Sequence, residues 1–232
     1  MTSPAQPAAD DPSPEGFPSS ESGPTVAFDP RSLSAEEVYA LLTHAVAPRP
    51  IAWVSTLSGD GRPNLAPYSY FNVGGQNPPS VVFSPNGGGG GREKDTLRNI
   101  RETGEYVINL ASRAQAAAMN ATAADLPHGQ SEWDAAGLSP RPSAVVRPGR
   151  VAGSPFALEC RLFQIVSHGS GAGAANYVIG EVVHAHVDRS LLNAAGELTS
   201  LDSRACGGLG RLGGDWYVDG RGDALFQLDR PG

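Results

Sequence analysis

The stretch from Pro50 to Pro85 limits the possible fold more than any other part of the chain. It opens with Pro50-Ile-Ala-Trp-Val-Ser-Thr-Leu57, an apolar, β-branched run halted by Ser58-Gly59-Asp60-Gly61, which reads as a strand entering a hairpin. The return run, Pro63-Asn-Leu-Ala-Pro-Tyr-Ser-Tyr-Phe-Asn72, is interrupted by Pro67. Proline donates nothing to a sheet ladder, so this strand is expected to bulge or to lie at an edge. Asn64, Ser69 and Asn72 alternate there with Tyr68, Tyr70 and Phe71. A bulge among them leaves backbone amides and small polar groups facing a groove instead of a neighbouring strand. A flat ligand rimmed with heteroatoms suits such a groove.

The rest of the chain supplies enough material for one domain around this hairpin. Its 232 residues can bury a sizeable core, and an apolar fraction of 40% is ordinary for a globular protein. A net charge of −7 argues against a nucleic-acid partner, which demands a basic face. No apolar run reaches membrane-spanning length, and the first residues lack the basic and apolar regions of a secretory signal, so a cytoplasmic location away from membranes is expected. Cys160 and Cys206 make neither a disulfide framework nor a metal-type spacing and read as free thiols.

Residues 1–25 are rich in Pro, Ser and Ala and read as a disordered tail; residues 26–219 form the expected domain and 220–232 a loose C-terminal tail. Ser34 and Glu37 have capping-box spacing ahead of a short amphipathic helix running to His44. After the hairpin, Gly87 to Gly91 precede Arg92-Glu93-Lys94-Asp95-Thr96, and either Asp95 or Thr96 is placed to cap a helix through Leu97 and Ile100. Arg92, Lys94 and the first amides of that helix then converge on one spot, as phosphate sites do, although a glycine-rich surface turn has the same composition. Tyr106–Leu110 reads as a strand, Ser112 with Gln115 opens an alanine-rich helix towards Ala124, and Ser131–Gly137 reads as a helical turn with Trp133 inward. Residues 155–166 and 176–187 read as antiparallel neighbours, with Arg161 and Glu181 facing across them. His184 and His186 share a strand face, but the sequence places no third ligand beside them; they read as solvent-facing, and no metal is expected. Together these segments predict a mainly β protein with flanking helices, its strands closed into an antiparallel Greek-key barrel.

The central stretch, Lys94-Asp95-Thr96 with Asn99 and Gly104 behind it, and Gly180-Glu181-Val182 resemble, in order and spacing, the flavin reductase-like family of FMN-binding split-barrel proteins. The resemblance spans residues 42–217 and points to the branch with flavoredoxins and the reductase components of two-component monooxygenases. It implies FMN as cofactor, NADH or NADPH as co-substrate, a homodimer, and a monooxygenase or other electron acceptor as partner. It places Ser55 and Thr56 beside the flavin or its ribityl chain, and Asn64, Ala66, Pro67, Tyr68, Ser69 and Phe71 along the isoalloxazine. Ser84, Arg92, Lys94, Asp95 and Thr96 are implied at the phosphate, and Arg211, Gly213, Gly214 and Tyr217 in a late motif approaching the cofactor. No general acid or base is nominated, because flavin carries the redox chemistry itself. The expected activity is that of an NAD(P)H-dependent flavin reductase. The alternatives are a flavoredoxin-type electron carrier without nicotinamide activity and a non-redox barrel for a small anion.

Overall fold

The computed structural model describes residues 25–87, 93–124, 126, 131–221 and 225. The expected tail up to residue 24, residues 88–92 with Arg92 among them, and most of the C-terminal tail lie outside the described residues. In chain order the elements are α1 (Ala35–Ala45), β1 (Arg49–Pro50), β2 (Ala52–Leu57), β3 (Pro63–Tyr68), β4 (Phe71–Gln76), β5 (Pro79–Phe83), α2 (Asp95–Thr103) and β6 (Glu105–Asn109). There follow α3 (Ala116–Ala121), α4 (Glu132–Ala135), β7 (Pro140–Arg141), β8 (Arg150–Val151), β9 (Phe156–His168), β10 (Ala175–Val187), α5 (Ser203–Cys206), β11 (Leu209–Arg211) and β12 (Tyr217–Asp219). Among the described residues no helix is long and apolar enough to cross a membrane.

One antiparallel sheet carries the fold, with strand order β3-β2-β6-β9-β10-β5-β4. The expected closed barrel is corrected here: β3 and β4, the two edges, do not pair, so the ladder is open. These edges are nonetheless consecutive in the chain, separated only by Ser69 and Tyr70. Ser84 N–H donates to the Tyr70 carbonyl at 2.8 Å, fastening the junction to the end of β5. The sheet therefore curls until its edges meet through the chain itself. Pro67 accounts for the missing ladder: it faces Trp53 of β2 in register and has no N–H to offer a strand on the other side.

Strand β2 is buried on both faces, which is why its sequence runs apolar without alternation. Ala52 and Val54 join Val81, Phe83, Ile100, Tyr106 and Ile108 in a core beneath α2. Ile51 and Trp53 join Leu65, Met119, Trp133 and Val151 in a second core beneath α3 and α4. Asn109, fully buried, ties three strands: its amide donates to the Trp53 carbonyl at 3.0 Å and its oxygen accepts Val151 N–H at 2.8 Å. Gly180 of β10 makes room for Tyr106; a Cβ there would overlap the phenol oxygen and lie 2.7 Å from Cζ. The register also sets Glu181 opposite Arg161, as the sequence implies.

Helix α1 begins as expected, with Ser34 Oγ accepting Glu37 N–H at 3.2 Å and Glu37 Oε2 accepting Ser34 N–H at 2.7 Å. Its C-terminal end is held by Arg49, a buried cation that donates to the carbonyls of Thr43, Val46 and Leu212 at 2.6, 2.9 and 3.0 Å. Thr43 is the one buried residue of this helix. Its apolar side chains Tyr39, Leu41 and Leu42 are 53%, 41% and 50% exposed.

Candidate functional site

A cavity of about 610 Å³ opens between the outer edge of β3 and the start of α2. Asn64, Ala66, Pro67 and Tyr68 make one wall, Lys94, Asp95 and Thr96 the wall opposite, and Thr122 to Ala124 with Glu132 the floor. Pro67 creates this opening, because an edge without a ladder partner leaves space that a further strand would fill. The walls are joined at their base: Asn64 Nδ2 donates to Thr96 Oγ1 at 2.8 Å, and Asn99 Nδ2 donates to Thr56 Oγ1 at 3.0 Å. The floor is fixed by Thr122, whose hydroxyl donates to the Met119 carbonyl at 2.7 Å and accepts Trp53 Nε1–H at 2.9 Å.

The N-cap of α2 is Lys94, in place of the expected Asp95 or Thr96, and the Lys94 side chain makes no capping bond to the first amides of the helix. An uncapped start of this kind presents backbone N–H groups and a positive dipole end to the cavity. The acids around the rim are answered locally. Asp60 pairs with Arg62 at 3.0 Å, Asp95 with Arg98, and Glu93 with Arg101 at 3.0 Å, while Glu102 accepts Gly59 N–H at 3.0 Å. Burial raises the Glu132 carboxyl above its ordinary range, partly offset by its own N–H and that of Leu65, with the Asp95 charge adding to the rise. Burial likewise raises the Tyr68 phenol, opposed by a hydrogen bond to Thr96.

Seven of the residues named from the sequence thus meet in one cavity: Asn64, Ala66, Pro67, Tyr68, Lys94, Asp95 and Thr96. Arg92 lies outside the described residues, and the others stand apart from the lining. Ser55 and Thr56 face a smaller hollow of about 300 Å³ with Trp133 and Pro140, and Ser55 Oγ donates to the Gly149 carbonyl at 2.5 Å. Ser69 lies at the β3–β4 junction, 3.4 Å from Arg49 Nε, and Phe71 packs on the first core. Ser84 Oγ donates to Asn86 Oδ1 at 2.9 Å and accepts Asn176 N–H at 3.0 Å. Arg211 lies 4.5 Å over the Tyr217 ring and bonds to the Gly214 carbonyl at 2.5 Å, while Gly213 packs against the His44 ring. Tyr217 Oη reaches Asn120 Oδ1 at 3.5 Å, one turn of α3 from the cavity floor. Sequence reasoning missed Glu132 and the lining residues Thr122, Ala123, Ala124 and Leu126. A first-turn glutamate and an alanine-rich helix end carry no local signal; only the tertiary packing of α3 and α4 against β3 brings them in.

A groove edged by an interrupted strand on a curled antiparallel sheet, facing an uncapped helix start, defines a class. The profile described as "Flavin reductase like domain" matches residues 44–204, and the chain belongs to that family. Among solved structures it is similar to nitrilotriacetate monooxygenase component B from Bacillus cereus, at 34% identity and a TM-score of 0.80, covering 89% of this chain and 100% of that one. The 2-nitrobenzoate 2-nitroreductase NbaA of Pseudomonas fluorescens matches at 29% identity and a TM-score of 0.76, covering 88% and 96%. The fold is shared with a split-barrel structure described as a flavin reductase from Shewanella frigidimarina NCIMB 400, at 23% identity and a TM-score of 0.73, covering 87% and 96%. The architecture is therefore of the split-barrel type, and the structural relatives are oxidoreductases.

Proposed function

We propose that this protein is an FMN-dependent oxidoreductase that takes hydride from NADH or NADPH. The observation that carries this reading is the cavity shared by the β3 edge and the α2 start, whose two ends suit a polar-rimmed ring and a phosphate respectively. Its volume of about 610 Å³ falls in the range of cofactor pockets. Family membership and the likeness to nitrilotriacetate monooxygenase component B support the same reading, with a monooxygenase as one class of electron acceptor.

Flavin, when bound, accepts hydride at N5 and releases electrons singly or in pairs. The chain's part is binding and orientation. Lys94 and the amides that open α2 hold the dianionic end, since charge-assisted bonds to phosphate are the stronger kind. Ala66, Pro67 and Tyr68 align the ring along the strand edge, and the Asn64–Thr96 bond keeps the two walls at fixed spacing. Glu132, with its raised pKa, holds a proton at the cavity floor to higher pH than an exposed glutamate does.

Lys94→Ala is expected to weaken FMN binding about tenfold, the worth of one charge-assisted hydrogen bond, and to leave riboflavin binding nearly unchanged. Fluorescence titration with both flavins measures this difference. Anaerobic addition of NADH or NADPH to the FMN-loaded protein is expected to bleach the flavin band. A protein that binds riboflavin and FMN alike, or stays yellow with both nicotinamides, does not perform this function. The exposed Tyr39, Leu41 and Leu42 of α1, with Phe28 and Val46 nearby in sequence, support a homodimer formed through that face.

A further inference from the structure

We propose that Glu159, His184 and His186 form a binding site for a divalent first-row transition ion on the sheet face opposite the core beneath α2. Strand β10 is bulged between Val182 and His184, so that His184, and not Val183, stands opposite Glu159 of β9. Val182 packs on the core under α2, together with its cross-strand partner Cys160. Without the extra residue, strict alternation would send His184 to that same core face. The bulge instead carries His184, and His186 two residues on, to the face that holds Glu159. One ligand atom from each of the three residues lies within 4.8 Å of the other two.

The carboxylate is built for the purpose. Glu159 has no exposed surface, and the 143–147 loop wraps it: Oε1 accepts Ala144 N–H at 2.7 Å, and Oε2 accepts Val145 and Val146 N–H at 2.7 and 3.1 Å. These amides fix its orientation as outer-sphere partners fix metal ligands, and leave the remaining side of Oε1 for His186 Nε2 at 2.5 Å. His184 is unexplained by this pair. Its ring stands edge-on to His186 at 4.9 Å between centroids, and among the described residues no group hydrogen-bonds to it. Two imidazoles and one carboxylate, with His184 open to solvent, form a three-ligand set with positions left for water, which suits zinc and its first-row neighbours. An ion bound to His186 Nε2 takes the place of the proton shared with Oε1, and the neutral ring then carries its proton on Nδ1.

The test uses untagged full-length protein, stripped with chelator and titrated with Zn²⁺ by calorimetry, with and without FMN. One zinc per chain is expected. His184→Ala, an exposed position whose loss leaves the Glu159–His186 bond intact, is expected to weaken it more than about tenfold, and Glu159→Gln likewise. Co²⁺ in place of zinc is expected to give visible ligand-field bands that H184A abolishes, with flavin content unchanged. Zinc uptake equal in the parent and in the H184A/H186A double variant would overturn the proposal, as would an absence of uptake by a folded parent protein.

Discussion

Gly180→Ala is expected to destabilise the protein by about 3 kcal/mol or more, the upper range of overpacking effects, and to lower the urea midpoint accordingly. The added methyl enters space already held by the phenol of Tyr106, which is fully buried, with the Arg161 carbonyl 3.1 Å away on the other side. Neither neighbour can withdraw, because Tyr106 packs at 5.6 Å between centroids on Phe83 and Arg161 belongs to the β9 ladder. A control separates this clash from any general strand effect. Tyr106 Oη is buried without a hydrogen-bond partner, with only the weakly bonding Cys160 thiol acting on it. Tyr106→Phe alone is therefore expected to be nearly neutral, and in the double variant to recover part of the loss caused by G180A, the ring carbon Cζ still lying 2.7 Å from the added methyl. A double variant no more stable than G180A would show that the methyl fails for another reason.

The second large effect is acid sensitivity centred on Glu159. Burial works to raise its pKa, but the site lies in a shallow layer under the 143–147 loop. The amides of Ala144, Val145 and Val146 with the His186 ring outweigh the penalty and hold the carboxyl at about 2, against an ordinary 4.5. A folded pKa below the unfolded one contributes stability that is complete above pH 4.5 and is lost as pH falls through about 2. The contribution is on the order of 3 kcal/mol. Glu159→Gln turns an amide N–H₂ towards backbone donors, and is expected to cost a similar amount at pH 7 while flattening the stability profile between pH 4.5 and 2. Urea melts across that range, with buffers free of divalent ions, measure both changes. A variant with the parent's slope would place the acid dependence in other carboxylates.

Much of the fold is legible in the residues because local chemistry and packing agree. The capping box at Ser34, the run of β2 and the long strands β9 and β10 follow from spacing and apolar content. Pro67 announces an interrupted second strand, and the structure makes that strand an edge with the cavity beside it. Closure was not legible: whether edges pair depends on where β3 and β4 end in space, and the two-residue passage at Ser69 and Tyr70 has no signature of its own. The pairing of His186 with Glu159 was hidden for a different reason. Strict alternation cannot foresee a bulge, so the partner 27 residues away could not be assigned, and His186 read as solvent-facing. The cavity walls were readable from the hairpin and the Lys94-Asp95-Thr96 turn, whereas its floor was not, since Glu132 and Thr122 arrive from helices with no marker of a site.

The passage through Ser69 and Tyr70 also links the two margins of the sheet. The segment that lines the cavity as β3 continues, without leaving the sheet, as the outer strand at the far side of the same curled surface. Beyond that strand comes β5, whose Phe83 stands opposite Val178 near the start of β10. The cavity wall and the opposite margin of the open sheet are thus one continuous piece of backbone, joined by a two-residue step.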